Sequence, residues 1–141
     1  MLAKESPVLT DTKVERPVHS AVDKNYAKDV AVMGARAASG KKATDPKILD
    51  IGEMIGLTDY FLVCSAPNDR LIRTIVEEIE KAIKDKFGVT PRAIEGLQDA
   101  TWVLMDYGDI VVHVMSEDAR AFYALERLWS DALIVDWDEV A

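Results

Sequence analysis

A chain of 141 residues, 49% hydrophobic and 30% charged, is long enough for one domain with a proper core and short for two. Its net charge of −8 is unevenly placed, since residues 1–58 carry 9 basic and 8 acidic side chains and residues 59–141 carry the remaining 8 and 17. An acidic domain without a basic stripe is unsuited to wrapping nucleic acid and suits a basic protein surface, and neither a membrane-length apolar run nor a secretion signal is present, so a cytoplasmic chain with no membrane partner is expected.

Residues 1–20 contain Pro7 and Pro17 and no apolar period, which predicts a flexible N-terminal extension, followed by a domain over 21–131 and a tail over 132–141. From Val22 the residues Tyr26, Val30, Met33 and Ala37 mark the inner face of a first helix that Ser39-Gly40 can end, and its many alanines allow close packing. Lys47 to Ile51 reads as a strand, Gly52 to Thr58 as a loop and Tyr60 to Ala66 as a second strand holding the single Cys64, a buried thiol rather than a nucleophile. Pro67 stops that strand. Asn68 then caps a helix with Ile72, Ile75, Val76, Ile79 and Ile83 inward, Glu77–Lys81 and Glu80–Lys84 spaced to pair outside, and Gly88 at its end.

Arg92 to Glu95 makes a third strand and Gly96 to Ala100 a turn. Two apolar runs, Trp102 to Met105 and Ile110 to Met115, then flank Asp106-Tyr107-Gly108-Asp109 as a hairpin. Two registers are open: a two-residue loop Tyr107-Gly108 pairs Trp102 with His113, and a three-residue loop with left-handed Gly108 pairs it with Val112. Both bring Asp106 near Asp109. Ser116 caps a closing helix with Phe122, Leu125, Leu128 and Trp129 at helical spacing, and Leu133 to Val135 can dock as a short strand or extended tail. The order predicts a single α/β domain, two- or three-layered, on a mixed, roughly five-stranded sheet with flanking helices.

Little in this pattern suggests chemistry. Asp106 and Asp109 are the one carboxylate pair that could hold a metal, yet two-metal nucleotidyl transfer wants carboxylates converging on a rigid strand beside a Gly-Ser phosphate loop, which the chain lacks. His113 stands alone among valines, and Asn68 reads as a plain cap. No cofactor, metal or catalytic residue is expected. Trp102 reads equally as core or as an interface anchor beside Asp106 and Tyr107.

The motifs Thr58-Asp59-Tyr60-Phe61, Ala66-Pro67-Asn68-Asp69-Arg70, Glu95-Gly96, WVLMDYGDIVVHV (Trp102 to Val114) and AFYALERLW (Ala121 to Trp129) resemble the ribosomal silencing factor family, related to plant Iojap. The likeness covers about Val22 to Asp131, with Ala66-Pro67-Asn68 departing from the Gly-Thr-Ser form of many members. It implies a nucleotidyltransferase-like core without catalytic motifs. It also implies a translational repressor, active when nutrients are scarce. Such a repressor binds the large ribosomal subunit at ribosomal protein fourteen on the subunit-joining face and sterically blocks the small subunit, with no sequence-specific nucleic-acid contact of its own. The implied contact residues are Trp102, Asp106, Tyr107 and Asp109, extended here to Leu104, Met105 and Gly108. A nucleotidyltransferase-like enzyme and a homo-oligomeric adaptor are the alternatives, and a homodimer could coexist with silencing.

Overall fold

In the computed structural model, which describes residues 21–138, the five aliphatic residues Ile72, Ile75, Val76, Ile79 and Ile83 form one buried stripe of helix α3 (Asp69–Phe87). Its ends follow local chemistry. Asn68 Oδ1 accepts from the Leu71 N–H at 2.8 Å, and left-handed Gly88 returns its N–H to the Lys84 carbonyl. Outside, Arg73 pairs with Asp69 and Lys81 with Asp85 at i,i+4, so Lys81 reaches forward rather than back to Glu77.

Helix α1 (Ala21–Gly40) packs beside α3, but its inner stripe is rotated from the expected one. Tyr26 is 44% exposed and crosses Phe87 edge-on at 5.6 Å, whereas Ala27, Val30, Ala31, Ala35 and Ala38 are buried. Small residues suit this face because side chains from β2 and α3 crowd it: a Cβ on Gly34 would meet Leu62 Cδ2 at 3.0 Å.

The sheet is mixed and open. Among the described residues six strands, β1 (Thr44–Asp50), β2 (Tyr60–Ala66), β3 (Ala93–Glu95), β4 (Trp102–Asp106), β5 (Ile110–Ser116) and β6 (Leu133–Val135), pair in the order β3-β4-β5-β2-β1-β6. Only β2 and β5 run parallel. The sixth strand is the tail segment, which pairs Ile134 with Leu49 at the edge. A single turn, α2 (Gly52–Ile55), lies in the expected loop between β1 and β2. The expected extension over residues 1–20 lies outside the described residues. Among those described, no helix is long and apolar enough to cross a membrane.

Period-2 alternation divides the sheet into unequal faces. Leu62, Cys64, Val103, Met105, Val112 and Val114 face α1 and α3 in the main core. Leu49, Val63 and Met115 face the other way, with Leu125, Phe61, Trp102 and Trp129 around them in a smaller cluster. The closing helix is not continuous. It breaks at Ala124 (φ 47°) into α4 (Glu117–Tyr123) and α5 (Leu125–Leu128), which leaves Phe122 81% and Leu128 68% exposed and turns only Leu125 fully inward.

Because the main core hangs on α3, Ile79→Ala is expected to cost about 2–5 kcal/mol through lost burial and a residual cavity. A lowered urea midpoint at unchanged m-value would show it.

Candidate partner-binding face

The hairpin register differs from both sequence expectations. Asp106 pairs with Val111, Leu104 with His113 and Trp102 with Met115, and the Tyr107 N–H donates to the Ile110 carbonyl at 3.0 Å. The two loop residues are therefore Gly108 and Asp109. Gly108 takes the left-handed first position (φ 88°) that a II′-type turn requires, which spares Tyr107 a positive φ.

This register separates the two carboxylates of the tip. Asp106 accepts from the Gly108 N–H at 2.8 Å and forms an ion pair with Arg92, whose Nε lies 3.1 Å from Oδ2, so a basic partner offsets its charge. Asp109 lines a cleft of about 210 Å³ with Tyr26, Tyr107 and Ile110 on the helix side, and its carbonyl accepts from the Asp59 and Tyr60 N–H groups. Nothing here makes them a converging pair. Among the described residues no group of three or more His, Cys, Asp or Glu gathers as metal ligands would.

Alternation also divides the expected contact residues. Trp102, Leu104 and Asp106 stand half-buried on the uncovered face. Met105, named with them from sequence, is fully buried under the helices and offers no contact surface. Tyr107 packs against the same core with its hydroxyl out of solvent, where burial and then Glu80 push its pKa above the ordinary range. It therefore does not share an anchor with Trp102. Gly108 serves the turn itself.

The structure gathers around Trp102 His113, which one of the two expected registers also set beside it, and Tyr123 and Glu95, which sequence reading did not place there. His113, only 4% exposed, accepts the Trp102 Nε1–H at Nδ1 (3.1 Å) and meets the Phe61 ring edge-on at 4.6 Å. Tyr123 from α4 lies 4.7 Å from the indole. Burial pushes the His113 pKa from its ordinary 6.5 down to about 4, so the imidazole stays neutral with its proton on Nε2. Glu95, exposed and opposite Leu104, joins Gly96, Trp102 and Leu104 around a shallow depression of about 260 Å³. The signal for Glu95 was its place in a strand, legible only once β3 is paired with β4. Gly96 (φ 87°) makes room here, because a Cβ would overlap the Trp102 carbonyl oxygen.

A polar clamp holds α4 in place. Arg120 is almost buried, and its guanidinium makes five hydrogen bonds: two to Glu126, one each to the Thr44 and Asp45 carbonyls and one to Ser65 Oγ. Five donors are thus used internally, which makes Arg120 structural. Glu117 adds bonds from Thr44 and Ser65.

The two long helices pack on one sheet face, and the other leaves Trp102, Leu104 and Glu95 in reach of solvent. A sequence profile of the family described as "Ribosomal silencing factor during starvation" matches residues 24–141. The chain is 40% identical over 111 residues to the ribosomal silencing factor RsfS of Bacillus subtilis, covering 79% of this chain and 93% of that one. It is 30% identical over 120 residues to the chloroplastic protein Iojap of Zea mays, covering 85% of this chain and 52% of that one. Crystal structures from Chromobacterium violaceum (TM-score 0.70, 28% identity, 74% of this chain and 86% of that one) and Bacillus halodurans (0.64, 33%, 79% and 98%) share the fold. The chain belongs to the ribosomal silencing factor family.

Two outcomes follow from this geometry. Folding lowers the His113 pKa, so the unfolded chain takes up the proton first; the stability gained by keeping the ring neutral is complete above about pH 6.5 and is lost as pH falls toward about 4. Between pH 7 and 5 that amounts to roughly 2 kcal/mol, and His113→Leu should flatten the pH dependence of the urea midpoint by about this much. Gly96→Ala, which forces a methyl onto a backbone oxygen in a left-handed conformation, should cost about 2 kcal/mol or more, read as a drop in thermal midpoint.

Proposed function

We propose that this chain represses translation by binding the large ribosomal subunit on its subunit-joining face, at ribosomal protein fourteen, where its bulk excludes the small subunit. The observation that carries the reading is the outward row Trp102, Leu104 and Asp106 of β4, with the exposed Glu95 of β3 beside Leu104. Family membership supplies the ribosome as partner. Charge supplies the direction, because the last 83 residues carry 17 acidic against 8 basic side chains and suit a basic ribosomal protein surface.

Physical roles divide along the same lines. A half-buried indole on a rigid strand gives a preorganised apolar anchor, which governs the off-rate, while the neighbouring carboxylates speed encounter and set orientation. Asp109 and Gly108 serve by shaping the tip that presents this face. Steric exclusion needs no bond making or breaking.

Co-sedimentation with isolated subunits tests the proposal. The protein should pellet with the large subunit and not the small, and its presence should reduce joined particles when the two are mixed. Trp102→Glu should weaken large-subunit binding at least thirtyfold, the loss of about 2 kcal/mol expected for a central Trp, while remaining folded by circular dichroism. Wild-type binding by that folded variant would remove Trp102 from the interface, and binding to neither subunit would end the proposal. Glu95→Lys should weaken binding and flatten its salt dependence, since it removes a neighbouring charge without disturbing the turn.

A further inference from the structure

We propose that His113 is a positioning residue for this face, holding the Trp102 indole in one orientation before any partner arrives. The inference rests on the reading that Trp102 is the anchor, and goes beyond it by assigning a role to a buried residue that touches no partner.

His113 lies mid-strand in β5, with Val63 of β2 on one side and Leu104 of β4 on the other. Its strand neighbours are Val111, Val112 and Val114, and a position asked only to pack would carry another aliphatic residue. The imidazole there leaves Nε2 buried without a partner among the described residues. What it gains for that unpaired group is one bond, from the Trp102 Nε1–H at 3.1 Å. An indole has a single donor, so this bond fixes which edge of the ring faces β5. Phe61, edge-on to the imidazole at 4.6 Å, and Tyr123, 4.7 Å from the indole, hold the pair from either side. A half-buried Trp without the tether would sample several rotamers, and binding would then have to order it.

Two variants of the full chain separate the acceptor from the ring. His113→Phe keeps an aromatic ring against Phe61 and removes the acceptor; His113→Asn restores an acceptor close to the Nδ1 position. The Trp102 indole N–H resonance, assigned by its loss in Trp102→Phe, reports the bond directly, and large-subunit affinity reports its use. His113→Phe should speed solvent exchange of that N–H and weaken binding about three- to tenfold, mostly through the off-rate, and His113→Asn should recover both. An unchanged indole resonance in folded His113→Phe, or a released indole with affinity within twofold of wild type, would overturn the inference. Should His113→Phe fail to fold, His113→Asn decides by itself, because the N–H protection and the affinity must be kept or lost together. Failure of Trp102→Glu to weaken binding would instead strike the proposed function, so the two can be told apart.

Discussion

Both long helices, α1 and α3, lie on the same side of a six-stranded sheet, so one face carries the main core and the other only a smaller cluster. That asymmetry governs the rest. The covered face takes alternate residues of β2 and β5, the alanine stripe of α1 and the isoleucine stripe of α3, and it supplies most of the burial that makes the domain stable. The uncovered face must be finished by shorter pieces. α4, α5 and Trp129 shield Leu49, Val63 and Met115 and stop there, leaving Trp102 and Leu104 between core and water.

What stops the cover is the placement of α4. Arg120 binds the β1 backbone, Ser65 on β2 and Glu126 at the same time, which fixes the short helix over the ends of β2 and β5. The left-handed Ala124 then redirects the chain so that Leu125 drives into the small cluster while Phe122 remains outside. A straight helix would have carried its apolar stripe farther over the sheet. Tyr123 is left at the boundary, where it abuts the indole.

The two faces of β4 explain why residues adjacent in sequence have unlike roles. Val103 and Met105 build the core, Trp102, Leu104 and Asp106 face outward, and Tyr107 returns to the helix side as the strand ends. Within the outward set the charges are compensated unequally: Asp106 has Arg92 and the turn amide, whereas Glu95 stands exposed beside the depression next to Trp102. An acidic and aromatic surface on a rigid sheet loses little conformational freedom when a basic surface meets it.

Much of this was legible in the sequence wherever local chemistry suffices. The bounds of α3 follow from Asn68 and Gly88, β2 runs from Tyr60 to Ala66 as its apolar run predicts, and Ser116 caps α4, because caps, stops and apolar runs act over a few residues. The motifs from Thr58 to Trp129, agreeing together in order and spacing, carried the resemblance to the family. Tertiary structure alone decided the loop Gly108-Asp109, since twist and cross-strand pairing choose among turns that local sterics leave open. It also decided that Tyr107 and Met105 face away from Trp102, because one register sets every side chain of a strand on its face. And it decided that His113, Tyr123 and Glu95 gather around one indole, for these residues come from three different elements and meet only when the sheet and α4 are assembled.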